Sequence, residues 1–65
     1  MKLVAYCIGL SDAEIKTIRD IKSEASIRVV SQNGLTSVIA RGVYDDLLEV
    51  VVAITKFRTF EIHLS

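Results

Sequence analysis

The chain has 65 residues, with 8 Lys and Arg against 8 Asp and Glu, one Cys, one His, and no Pro or Trp. A chain this short holds one hydrophobic core, so we expect a single domain over residues 1–65. Its composition, 51% hydrophobic and 25% charged, is typical of a globular protein and not of a disordered one. The zero net charge argues against broad binding to a phosphate backbone, which requires a basic surface.

Neither a disulfide nor a membrane span is predicted. One cysteine cannot form an internal bridge, and Cys7 with His63 offers too few ligands for a structural zinc site. The apolar run Leu3–Ile8 is far shorter than the roughly 20 residues of a membrane-spanning helix. A single free thiol suits a reducing compartment. We therefore expect a cytoplasmic protein with no direct membrane insertion.

The first two elements are predicted from residues 3–25. Leu3–Ile8 is a run of apolar and β-forming residues before Gly9, and it predicts a strand buried on much of both faces. Ser11-Asp12-Ala13-Glu14 has the pattern of a capping box, in which Ser11 and Glu14 satisfy each other's backbone N–H groups. Apolar residues then recur at helical spacing, at Ile15, Ile18, Ile21 and Ala25. The pattern predicts an amphipathic helix over residues 12–24.

A β-hairpin is predicted around Asn33-Gly34, which lies between the β-rich runs Ser26–Gln32 and Leu35–Arg41. Asn-Gly favours a type I′ turn, which needs positive φ at both positions. With this loop, Gln32 faces Leu35 and the pairing continues back along both strands. One face then carries Ile27, Val29, Ser31, Thr36, Val38 and Ala40, and the other carries Arg28, Val30, Gln32, Leu35, Ser37, Ile39 and Arg41. The first face is more apolar, so we expect it to pack against the helices, and a slip by one residue would turn Arg28 into the core.

The remaining residues predict a second helix and a last strand. Leu47, Val50, Val51 and Ile54 follow the i, i+3, i+4, i+7 spacing of a helix over Val43–Phe57. Thr59–Leu64 alternates between apolar and polar residues, as in a half-buried strand. The order β-α-β-β-α-β predicts an α+β, ferredoxin-like split βαβ sandwich. Its two helices would cover one face of a four-stranded antiparallel sheet and leave the other face open.

The motifs of catalysis and metal binding are missing. Cys7 and His63 could approach each other if the first and last strands pair, but nothing orients the imidazole, and a thiol in an apolar strand is usually inert. The helix dipole explains the acidic pair Asp45 and Asp46 without a function. Gly9-Leu10-Ser11 before a helix could hold an anion, although such a sequence is usually only a turn. We expect no enzyme, with no catalytic, cofactor or metal-binding residues.

The open sheet face is therefore the candidate site. It should show Val30, Leu35 and Ile39, framed by Arg28 and Arg41. An apolar patch rimmed by charge is typical of an interaction surface. We expect it to bind a second copy, giving a homo-oligomer, or a larger protein partner.

Nucleic-acid binding is the alternative for the same face. Tyr6 with Arg28 and Arg41 could bind RNA or a single strand in the manner of an RNA-recognition domain. That mode uses aromatic residues on the first and third strands, and Leu35–Arg41 has none.

The chain also resembles a known family. The stretches concerned are Gly34-Leu35-Thr36-Ser37-Val38-Ile39-Ala40, Tyr44-Asp45-Asp46-Leu47-Leu48 and Phe60-Glu61-Ile62-His63-Leu64. With the strand and helix before them, they resemble the C-terminal accessory domain of ATP-binding subunits of ABC transporters of the drug-export group. The resemblance implies a non-catalytic regulatory module. The fold pattern is also similar to amino-acid-sensing ACT domains, which implies small-molecule sensing as a further alternative.

Overall fold

The predicted order of elements is present in the structure, a computed structural model that describes all residues from Met1 to Ser65. The elements are β1 (Lys2–Ile8), α1 (Asp12–Arg19), β2 (Ser26–Gln32), β3 (Leu35–Arg41), α2 (Tyr44–Thr55) and β4 (Glu61–Leu64). The strands form one antiparallel sheet in the order β2-β3-β1-β4. This is the α+β ferredoxin-like fold that the sequence predicts.

The hydrophobic core lies on one side of the sheet. Alternate residues of the two central strands are buried there, namely Leu3, Ala5 and Cys7 of β1 with Thr36, Val38 and Ala40 of β3. Ile18 of α1 and Leu47, Val50 and Ile54 of α2 pack against them. No helix is long and apolar enough to span a membrane.

The hairpin register is the predicted one. Asn33 and Gly34 have φ values of 54° and 80°, as a type I′ turn requires. Gln32 lies opposite Leu35, and the pairing runs without a bulge to Ser26 opposite Arg41. The two faces of the hairpin therefore carry the residues that the sequence assigns to them.

Helix α1 begins at the predicted capping box. The Ser11 hydroxyl accepts a hydrogen bond from the Glu14 backbone N–H at 3.1 Å, and the Ser11 N–H donates to a Glu14 carboxylate oxygen at 2.9 Å. The helix starts at Asp12, one residue after this N-cap.

The predicted end of α1 at residue 24 is wrong, because the helix ends at Arg19. The Ile21 N–H donates to the Ile18 carbonyl, which tightens the last turn. The Ser23 hydroxyl then accepts from the Ala25 N–H at 3.0 Å. Such a local bond offers the backbone an alternative to the helix, so the apolar spacing continues past the point where the helix stops.

The prediction that β1 is buried on both faces is also wrong. Tyr6 and Ile8 are 36% and 77% exposed, because both helices lie on the other side of the sheet. The second helix is confirmed within two residues at each end. Strand β4 begins at Glu61, two residues later than predicted.

Candidate interaction surface

The open face of the sheet is crossed by four rows of side chains, which follow from the strand registers. Read from β2 to β4, the middle rows are Arg28, Ile39, Val4 and His63, then Val30, Ser37, Tyr6 and Glu61. The outer rows are Ser26, Arg41 and Lys2 at one end, and Gln32, Leu35 and Ile8 at the other. The structure thus brings all five predicted interface residues to one surface, and β1 contributes four more positions at its centre.

One end of this surface is apolar. We call Tyr6, Ile8, Val30 and Leu35 the apolar patch, since each is between 36% and 77% exposed. Ile39 lies beside it and is half-buried. The sequence predicted the contribution of the hairpin and considered Tyr6 on this face only for nucleic-acid binding. It missed Ile8, because an unbroken apolar run does not show which of its faces is left uncovered.

A groove of about 590 Å³ adjoins the apolar patch. The pairing of β1 with β4 ends at Tyr6 and Glu61, so Ile8 has a neighbour in β3 but none in β4. The groove is lined by apolar and polar residues, namely Tyr6, Cys7, Ile8, Leu35, Arg58, Thr59 and Glu61. A groove with an apolar part of this kind suits the insertion of one large apolar side chain.

The other end of the surface is basic. We call Lys2, Arg28 and Arg41 the basic cluster, and together with Ser26 and Ile39 they line a pocket of about 310 Å³. The ion pairs of the protein are Lys16 with Asp20, Arg58 with Glu14, and His63 with Glu61, so no member of the basic cluster has a carboxylate partner. The sequence indicated the two arginines, but Lys2 joins them only through the pairing of β1 with β3.

Arg58 and Glu14, away from the basic cluster, are paired with each other. Arg58 lies 3.5 Å from Glu14 and connects the start of α1 to the segment before β4. The Ser11 backbone N–H, followed by the Ser11 side chain, holds the pKa of Glu14 below its ordinary value of 4.5, and Arg58 acts in the same direction. The capping box and this ion pair are therefore one network, which stabilises the fold.

Cys7 and His63 do not come together. Cys7 is buried on the helix side of the sheet, whereas His63 lies on the open face opposite Val4. The imidazole of His63 is 3.0 Å from a Glu61 oxygen, and its ring centre is 6.1 Å from that of Tyr6. No group of three or more His, Cys, Asp or Glu side chains is arranged to hold a metal ion.

A second apolar surface lies on the outside of α2. Tyr44, Leu48 and Val52 are 50%, 39% and 59% exposed, and their i, i+4, i+8 spacing aligns them along the helix. We call these three residues the α2 stripe. The sequence carried this signal, but the stronger buried pattern of Leu47, Val50 and Ile54 concealed it.

Comparisons with known proteins gave no relatives: no protein-family model matches the chain, and no curated protein or solved structure is significantly similar to it.

Proposed function

We propose that the protein is a non-catalytic protein-interaction domain that acts through its open sheet face. The observation that carries this proposal is the apolar patch, which is exposed on the side of the sheet that neither helix covers. Contiguous exposed apolar surface rimmed by polar residues is typical of binding sites. The free thiol of Cys7 is compatible with a cytoplasmic location, which we also propose.

The groove beside Ile8 and Leu35 supplies the anchor for such a partner. Binding energy in protein interfaces concentrates in a few large side chains that fill pockets near the centre. A partner that inserts an aromatic or aliphatic side chain into this groove would also contact Ile8, the most exposed large apolar residue of the chain.

The α2 stripe supports a position inside a larger assembly. The open face and the outside of α2 belong to different layers of the domain, so one flat partner cannot cover both. A module held between two surfaces is consistent with the resemblance to the accessory domain of ABC transporter ATP-binding subunits. We propose that the chain serves a regulatory role of this kind.

Sedimentation velocity at about 10 to 500 µM tests the open face as an interface between copies of the chain. We expect a rise in mass with concentration that Leu35→Asp and Ile39→Asp abolish. Val43→Asp is the matched control, since it adds the same charge to an exposed apolar residue that belongs to neither the open face nor the α2 stripe. Circular dichroism checks that each variant is folded.

A partner other than a second copy is tested with a purified ATP-binding subunit of the drug-export group. Binding that Leu35→Asp removes and Val43→Asp retains would identify the open face as the contact. A domain that remains monomeric, and binds this subunit equally well with and without Leu35→Asp, would contradict the proposal.

Single-strand binding is a second candidate function, favoured by one observation. Tyr6 lies on the same face as Lys2, Arg28 and Arg41, so an aromatic ring and three cations share one surface. Base stacking on aromatic rings beside cations is the usual basis of such binding. It predicts an affinity for oligonucleotides that falls steeply with salt. No binding at about 50 mM salt would exclude it.

A further inference from the structure

The basic cluster contains a like-charge pair at the closest approach that a sheet allows. Met1 and Gly42 exchange two backbone hydrogen bonds, so the next pair along, Lys2 and Arg41, is a non-hydrogen-bonded pair. Side chains are closest at such positions, and like charges directly opposite each other are destabilising. The chain carries this repulsion although its net charge is zero.

Arg28 adds a third positive charge to the same place. It lies opposite Ile39, which puts it diagonal to Arg41, at the roughly 7–8 Å typical of that relation. Glu61 carries the only carboxylate side chain among the open-face residues, and it lies opposite Tyr6, four residues further along β1 than Lys2. It is 3.0 Å from His63. The terminal carboxyl of Ser65 accepts a hydrogen bond from the Lys2 backbone N–H at 2.8 Å, but none of the three cationic side chains forms an ion pair with it or with any other carboxylate.

The shape of the site also fits an anion. The cations surround a concave pocket of about 310 Å³, with the half-buried Ile39 in its lining and the exposed Ser26 at its edge. Guanidinium groups bind phosphate and carboxylate oxygens through paired hydrogen bonds, and a hydroxyl can donate one more. We propose that this pocket is a binding site for a phosphate monoester of a small molecule, with Lys2, Arg28 and Arg41 contacting the phosphate oxygens.

A compact dianion fits the arrangement better than a nucleic-acid strand. Grooves that bind single strands place cations along the path of the backbone. Here the remaining rows of the open face carry no Lys or Arg, and Arg58, at the far end, is paired with Glu14. Three cations at one point match the two charges of a monoester, whereas each phosphodiester carries one. Binding of a small anion is a function distinct from the proposed protein interface, although the two share Ile39, and it can be tested on this chain alone.

The test is an NMR titration of the 65-residue protein at about pH 8, where phosphate monoesters are dianions. Inorganic phosphate, adenosine monophosphate and a phosphodiester dinucleotide are compared at constant ionic strength. We expect saturable shifts of the Lys2, Ser26, Arg28 and Arg41 amides with phosphate and with the monoester. The dinucleotide should bind about tenfold more weakly, because charge-assisted hydrogen bonds dominate the affinity.

Two variants and one control make the result specific. Arg41→Gln and Arg28→Gln should each reduce the monoester affinity about tenfold. Arg19→Gln, at the exposed end of α1, removes a positive charge elsewhere and should leave the affinity unchanged. Shifts that sodium chloride reproduces, an equal loss in the Arg19 variant, or tighter binding of the dinucleotide than of the monoester would each overturn the proposal.

Discussion

Lys2 and Arg41 face each other across β1 and β3 on the open side of the sheet, and neither side chain forms an ion pair with a carboxylate. Cross-strand pairs at this spacing usually combine opposite charges or apolar side chains, because both combinations stabilise the sheet. A like-charge pair is therefore a local defect in the free protein. Removing the charge of Arg41 should raise the stability of the free protein and weaken its affinity for an anion. A residue with a structural role alone would not show these two opposite effects.

Arg41→Gln should make the free protein more stable. The variant removes the charge opposite Lys2 and keeps a side chain of similar length, so we expect a gain of about 0.2–1 kcal/mol in the free energy of unfolding. Urea unfolding at low salt measures it, and the gain should shrink at about 1 M salt, where the screening length is about 3 Å. Arg19→Gln is the control and should have little effect. A loss of stability in Arg41→Gln would contradict the repulsion between the two side chains.

The placement of the hairpin residues could be predicted because one local signal fixes it. Asn33-Gly34 sets the loop length, and the loop length sets which residues of β2 and β3 share a face. Arg28 and Ile39 are therefore on the open side, as expected. Lys2 could not be placed in this way, because the pairing of β1 with β3 joins distant segments and no turn motif defines its register.

The exposure of β1 was not predictable from its own residues. Leu3–Ile8 is apolar at nearly every position, so its periodicity cannot distinguish a strand covered on both faces from one covered on a single face. The number of covering layers decides this, and two short helices cover only one side of a four-stranded sheet. Likewise, Ile21 continues the apolar spacing of α1, but the turn around Ser23 ends the helix first.

Leu3→Ala and Ile8→Ala should differ widely in cost, although both residues are apolar and lie on β1. Leu3 is fully buried against the helices, so its truncation leaves a cavity and should cost about 2–5 kcal/mol. Ile8 is 77% exposed on the other face, and its truncation should change stability by less than about 0.5 kcal/mol. Thermal and urea unfolding measure both. Similar costs would mean that the second face of β1 is covered in the folded protein.

Glu14→Gln should flatten the dependence of stability on acid pH. The pKa of Glu14 is lowered in the folded protein, so its ionised form adds stability above the ordinary carboxyl value of 4.5, and this is lost as the pH falls through the lower folded value. Glutamine can still accept the Ser11 N–H at this position of a capping box but does not titrate. Urea unfolding from neutral pH to below the folded pKa should therefore show a smaller decline in Glu14→Gln than in the wild type.

Glu24→Gln is the matched control for that series, because Glu24 is an exposed carboxylate in the α1–β2 connection and takes part in no ion pair. Its profile should follow that of the wild type. If Glu14→Gln declines as steeply as the wild type, the acid sensitivity comes from other carboxylates and the capping network does not control it.

Gly42→Ala should destabilise the protein through one neighbour. A Cβ at position 42 would lie 3.3 Å from both the Cα and the Cβ of Ala25, closer than ordinary van der Waals contact. Overpacking of this kind costs about 1–3 kcal/mol. The cost should be smaller in an Ala25→Gly background, where one of the two contacts is removed, and a double-mutant cycle isolates that coupling.

Gly9→Ala is the control, since nothing lies within 4 Å of its Cβ and its strain comes from a φ of +83°. Its cost should be the same in both backgrounds, and a Gly42→Ala cost that is also independent of residue 25 would show that the clash is not what constrains position 42.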